Sequence, residues 1–212
     1  MDRRDVSVTR EALTHTLARF TGSQLQLPPM HSALKHEGRA YYEYARAGEE
    51  VPRTPRSIVV NSLDLVTWSS PDAMVAISCS KGTYVRVLAE DIGEALGCGA
   101  HLAALRRTTT GGFRLEDAIT LDALEAMSEA DRDRLLLPPA SLVADLSRID
   151  LDAHSAPRFC QGQAIPAAER PPGEYAVYSG AAFLGIAAVE DGVAHPRRLV
   201  SSRLAENTVF GL

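Results

Sequence analysis

The stretch AMVAISCSKGTYVRVLAEDIGEALG, residues 73–97, changes its hydrophobic period once, at a glycine. Val75, Ile77 and Cys79 alternate with smaller or polar residues, the period-two pattern of a half-buried strand. Beyond Gly82 the apolar residues fall at Val85, Leu88, Ile92 and Leu96, spaced as on one face of a helix, and Gly97 supplies the stop. Thr83 is the predicted N-cap. Arg86 then lies in the first turn, where the helix already carries roughly half a positive charge, so its position costs a few tenths of a kcal/mol (~0.3) unless an anion answers it. Asp91 is five residues further on, roughly 140° round the helix, and faces elsewhere. The partner must come from another part of the fold.

Upstream, TREALTHTLARFTG predicts a short helix capped by Thr9, with a stripe of Leu13, Leu17 and Phe20 and an end at Gly22. Pro28 and Pro29 fix an extended segment, and YYEYARAG predicts a second helix ending at Gly48. RSIVVNSLDLVTW, rich in β-branched residues, predicts a strand, as does AMVAISCS. Ala100 to Leu105 predict a further short element before the Gly111–Gly112 break. Thr120 starts a helix with an apolar face of Leu121, Leu124 and Met127, and the Pro138–Pro139 pair precedes a domain boundary near Leu142. EYAVYSG, AFLGIAAVEDG and AHPRRLVS, separated by turns, predict a small all-β module.

Composition narrows the function. No apolar run approaches the roughly 20 residues of a membrane helix, and the start MDRRDVSVTREAL lacks the core of a signal peptide, so the expected location is cytoplasmic. Cys79, Cys98 and Cys160 are scattered, without zinc spacing, and are expected to be reduced, packed thiols; no metal is implied. The net charge of −5 argues against a generic polyanion binder. Its distribution is uneven: Gly111 to Asp152 holds ten acids against four arginines, leaving basic clusters at Lys35, His36 and Arg39, at Arg106 and Arg107, and at Arg197 and Arg198. Such clusters are ordinarily solvated faces, and a nucleic-acid site stays open. Tyr84 and Arg86 place one aromatic ring and one fixed cation at the strand-to-helix junction. The plainer readings, a rim tyrosine and a structural salt bridge, also stay open.

The ordered series LPPMHSALKHEGRAYYEYARAGEEVPR, then CSKGTYVRVLAEDIGEALGCGAHLAALRRTTTGGFRLEDAITLDAL, resembles the bacterial tRNA pseudouridine synthase B family over residues 6–127. RFCQGQAI and AHPRRLVS are similar to the PUA-type RNA-binding domain that ends those enzymes. The resemblance implies an α+β fold: a mixed or antiparallel sheet with packed helices over 1–142, then a PUA-like β domain over 143–212. It implies a tRNA pseudouridine synthase that flips the T-loop uridine, tRNA position 55, into its site, with tRNA as partner and no cofactor. Tyr84 matches the active-site tyrosine beneath the base and Arg86 the arginine that pairs with the nucleophilic aspartate. Leu105 matches an apolar wall of the base pocket, and Lys35 falls on a motif that is structural or near phosphate. Where the family often has tyrosine after PPM, this chain has His31. The related archaeal and eukaryotic guide-RNA-dependent synthases share a KGTYVR-like motif, but GCGAHLAALRR is closer to the bacterial wording.

The departure is the nucleophile. The family carries it in a G-x-L-D-x-x-A-T-G-type segment ahead of the PPM motif, and no such pattern occurs here. Asp2 and Asp5 fall in a start that reads as disordered, and Asp91 matches a non-catalytic position. The chain therefore reads as the C-terminal two-thirds of such an enzyme. By itself it is expected to be inert, with an exposed sheet edge and apolar surface. The alternatives are a half that assembles with a separately encoded N-terminal fragment and a non-catalytic RNA-binding or tRNA-folding module.

Overall fold

The computed structural model describes residues 7–200, and the fold is α+β. Asp2 and Asp5, and Ser201 at the end of AHPRRLVS, lie outside the described residues. The chain divides into two compact units, Met1–Leu105 and Arg106–Leu212.

The first unit runs α1 (Arg10–Arg19), β1 (Gly22–Gln26), β2 (Lys35–His36), β3 (Arg39–Ala40), α2 (Tyr41–Ala47), β4 (Arg56–Ser69), β5 (Asp72–Cys79) and α3 (Val85–Ala95). β1, β4 and β5 form an antiparallel sheet in the order β1-β4-β5, and β2 with β3 makes a small hairpin. Thr9 caps α1 as predicted, its hydroxyl accepting the Ala12 N–H at 3.1 Å, which contributes about 1 kcal/mol. Gly48 closes α2 at φ 73, a left-handed conformation that glycine adopts without Cβ strain.

Leu13 and Leu17 of α1 and Leu88 and Ile92 of α3 pack onto Ile58, Val60 and Leu63 of β4. Each such side chain, taken from water, contributes about 1.5–3 kcal/mol. Irregularities between Val60 and Ser62 and between Leu65 and Thr67 let a 14-residue strand keep Ile58, Val60, Leu63, Leu65 and Trp68 against one core. Within this unit, no described element covers the opposite face. Leu25 is 73% exposed, and Val59, Val66 and Met74 are exposed with it. The sequence-based expectation of uncovered apolar sheet surface describes this face.

The second unit runs β6 (Thr109–Thr110), β7 (Phe113–Arg114), α4 (Leu121–Glu125), α5 (Glu129–Arg134), β8 (Ser147–Asp150), α6 (Ser155–Cys160), β9 (Ile165–Pro166), β10 (Gly173–Ser179), β11 (Ala182–Glu190) and β12 (Val193–Leu199). A five-stranded sheet has the order β8-β10-β11-β12-β9, with β8 parallel to β10 and the other pairs antiparallel. Its core gathers Ile149, Phe159, Ile165, Tyr175, Val177, Leu184, Val189 and Ala194. Among the described residues of 106–146 none is buried.

Four sequence-based expectations need correction here. The Ala100–Leu105 element is irregular chain; Gly97 and Gly99 at φ 79 and 68 turn the backbone out of helix before it. The module at the C-terminal end is not all-β, because α6 supplies Phe159, which is fully buried and which the SAPRFC segment is too short to reveal by period. The thiols are not all packed either: Cys79 and Cys98 are half-buried, but Cys160 is exposed. The predicted face of Leu121, Leu124 and Met127 is uncovered as well, with Leu121 exposed and the other two half-buried.

Candidate active site at the start of the third helix

Between β5 and α3 the chain makes a tight turn. The Ser80 carbonyl accepts from the Thr83 N–H at 3.4 Å, and Gly82, the third residue of the turn, has φ 85, as a type II turn requires. Ser80 also extends the sheet: its N–H donates to the Val59 carbonyl at 2.8 Å and its Oγ accepts the Val59 N–H at 2.9 Å. The Thr83 hydroxyl lies 3.5 Å from the Ser80 hydroxyl.

Thr83 is therefore not the N-cap. Tyr84 occupies that position, with φ −93 and ψ 98 and no side-chain cap bond of its own. The capping function passes to Gln26, 58 residues earlier at the end of β1: its Oε1 accepts the Tyr84 N–H at 2.8 Å and its Nε2 donates to the Tyr84 carbonyl at 3.2 Å. The same carbonyl accepts the Leu88 N–H at 3.0 Å, so both its lone pairs are used. Gln26 is 4% exposed and carries an amide that must be satisfied.

Arg86 lies one turn-position beyond Val85, exposed, with no acidic residue in the first turn of α3. Among the described residues it forms no hydrogen bond or ion pair. Its charge therefore adds to the positive helix end with no ion pair to a described residue. Asp91 is exposed, and partial burial, then the neighbouring Glu90, raises its carboxyl above the ordinary range. It does not answer Arg86. Tyr84 is half-buried beside Arg86 in sequence; Lys35 is exposed on β2, and Leu105 is 59% exposed in irregular chain. Neither Lys35 nor Leu105 belongs to the buried cluster beneath the sheet.

The PPM segment is held by its own polar contacts. The Arg53 guanidinium donates to the Pro28 carbonyl at 3.0 Å, and the Tyr44 hydroxyl donates to the His36 carbonyl at 3.1 Å. Arg39, one of the clustered basic residues, is consumed locally: it bonds the Glu49 carboxylate at 3.1 Å and stacks over the Tyr44 ring at 4.3 Å. Arg197 likewise pairs with Glu190 at 3.0 Å. Ser32 is buried, and its hydroxyl has no partner among the described residues. No group of three or more metal-ligating side chains comes together among the described residues, and none of their helices is long and apolar enough to cross a membrane.

Three family models match consecutive stretches: TruB family pseudouridylate synthase (N terminal domain) over residues 1–85, tRNA pseudouridylate synthase B C-terminal domain over 86–144, and Pseudouridine synthase II TruB, C-terminal, over 147–200. The chain is 48% identical over 208 residues to tRNA pseudouridine synthase B of Burkholderia mallei, covering 94% of this chain and 69% of that protein. This chain belongs to the bacterial tRNA pseudouridine synthase B family. The homologue of Thiobacillus denitrificans is 49% identical over 200 residues, covering 94% of this chain and 67% of its own. Among solved structures, a Cbf5-Nop10-Gar1 complex shares the fold with a TM-score of 0.73 at 20% identity, over 96% of this chain and 66% of that one. An H/ACA RNP bound to a substrate RNA containing 2′-deoxyuridine matches with a TM-score of 0.69 at 18% identity, over 92% and 62%. The chain thus spans about two thirds of the length of these synthases, 69% and 67% for the two curated relatives.

Sequence reasoning singled out Tyr84 and Arg86 as candidates and passed over Gln26, which holds the backbone of Tyr84. The alternation GSQLQL was its signal, and it points the wrong way, since the leucines of an amphipathic strand are expected inside. In the structure Gln24 is half-buried and Gln26 buried, while Leu25 and Leu27 are exposed.

Proposed function

We propose that this chain supplies the Tyr84 and Arg86 part of a site that isomerises the T-loop uridine of tRNA, position 55, to pseudouridine, and that it is inert without a carboxylate brought by another segment. The reaction breaks the N1–C1′ bond, forms the C5–C1′ bond, and moves one proton from C5 to N1. Tyr84 offers a ring on which an extruded base stacks, offsetting part of the unstacking cost, and a hydroxyl for the C5 proton. Arg86 holds the nucleophilic carboxylate ionised, and Leu105 walls the base. Lys35 lies near the RNA phosphates. The single observation that carries this reading is Arg86, an exposed cation at the positive end of α3 with no acid in the helix's first turn and no ion pair to any described residue.

The nucleophile comes from a segment of the L-D-x-x-A-T-G type, either continuous with this chain or separately encoded. The boundary between the catalytic part and the PUA-like RNA-binding domain falls at 142/143; the confinement of the second unit's buried core to Ile149 and beyond supports it. The site works in the cytoplasm, where its tRNA substrate is made, and needs no cofactor, because the isomerisation is redox-neutral.

The test uses tRNA carrying tritium at C5 of its uridines, whose release reports isomerisation. The chain alone is expected to bind the T arm with salt-sensitive affinity and release nothing. Adding a polypeptide that holds the aspartate segment of a longer relative is expected to start release. Turnover by the chain alone would overturn the inertness, and no preference for the T arm would overturn the substrate. A second reading, an RNA-binding module without chemistry, draws on the self-contained five-stranded sheet of the second unit; T-arm binding that never yields release with the added segment selects it.

A further inference from the structure

We infer that Gln26 is a positioning residue for the uridine site, acting through the backbone of Tyr84; the inference rests on the site assignment above. The start of α3 is intrinsically weak. Its N-cap has no side-chain cap bond, its first turn has no acid, and it carries Arg86 against the dipole. Helix termini with such deficits fray, yet this terminus bears the two residues the chemistry needs.

Gln26 meets that deficit from outside the helix. One side-chain amide grips both the N–H and the carbonyl of Tyr84, at 2.8 and 3.2 Å. Two bonds to one residue restrain its φ and ψ together, and so fix the direction in which the ring leaves the backbone and the turn on which Arg86 is carried. β1 pairs with β4 in the register Gln26↔Arg56, so the grip is anchored in the sheet. An apolar side chain of the same length fills the space but leaves the Tyr84 N–H unpaired. A purely structural amide is satisfied by any nearby groups; this one spends its carbonyl and an N–H on the single residue that begins the site.

The test compares the wild-type chain with Gln26→Met and Gln26→Glu. The first keeps length and loses both bonds; the second keeps an acceptor for the Tyr84 N–H and loses the donor. Amide exchange at Tyr84, measured against Leu17 in α1, is expected to accelerate about tenfold in Gln26→Met and less in Gln26→Glu. Affinity is then measured for a T-arm stem–loop and for the same RNA with an abasic residue in place of the target uridine. The wild type is expected to prefer the intact RNA, and Gln26→Met to lose about tenfold of that preference while binding the abasic RNA as before. Unchanged Tyr84 protection overturns the inference, as does a loss of affinity for both RNAs in proportion to a fall in Tm. A wild-type chain that does not discriminate the two RNAs refutes the uridine-site assignment instead. Tyr84 exchange then decides the holding role of Gln26 alone, upheld by the tenfold change and overturned without it.

Discussion

A Cβ placed on Gly93 would lie 2.1 Å from the backbone nitrogen of Ala100 and 2.3 Å from the carbonyl carbon of Gly99. The chain leaving α3 doubles back across the helix at this glycine, and the Gly99 N–H donates to the Gly93 carbonyl at 2.9 Å. The close approach fixes where the segment leading to Leu105 begins.

Gly93→Ala sets two effects against each other. Alanine favours a helix interior by about 1 kcal/mol over glycine. The clash is with backbone, which cannot swing aside as a side chain can, and overpacking of that kind costs about 1–3 kcal/mol. The clash is expected to win: chemical denaturation should show a net loss of stability, and a gain would refute the crossing.

Arg86→Glu is expected to separate stability from function. The substitution places an anion at the positive end of α3 and should stabilise the chain by about 0.5 kcal/mol at low salt, shrinking as salt is added. In the complemented isomerisation assay the same variant should lose turnover, since the aspartate would then face a like charge. Retained turnover would remove Arg86 from the site.

Asp91 and Asp152 should respond to pH in opposite senses. Asp91 is raised by burial and then by Glu90; a raised carboxyl destabilises the fold above its folded pKa, and the penalty is gone once pH falls below the ordinary value of about 3.9. Asp152 is lowered, first by the Ser155 backbone N–H at 2.7 Å; it stabilises the fold above the ordinary value, and that is lost as pH falls through its folded pKa. Asp91→Asn should therefore raise Tm at neutral pH and Asp152→Asn lower it. On acidification the Asp91 difference should close before the Asp152 difference. Thermal melts across the acid range check both sign and order.

The bare face of the first sheet should drive self-association. Leu25 and Val59 project from neighbouring strands, in the registers Leu25↔Ser57 and Ser23↔Val59. Leu25→Lys with Val59→Thr should lower the apparent mass at high concentration without lowering Tm, as sedimentation and melting would show. A wild-type chain monomeric throughout would mean that this face tolerates water.

Much of the site was legible because it is local. The step from period two to period 3.6 at Gly82 located the strand, the turn and the helix, and the spacing placed Arg86 in that helix's first turn, against its dipole. Thr9, Gly48 and Thr120 were readable as helix ends for the same reason: a cap acts within three or four residues of its helix. Tertiary structure decided what depends on which element covers which face. Alternation in β1 shows that Leu25 and Gln26 point to opposite sides, but only the docking of α1 and α3 on one side turns the glutamines inward and leaves the leucines outside. That choice put Gln26 under Tyr84 and moved the helix start from Thr83 to Tyr84, because a bond spanning 58 residues has no signature in the local sequence.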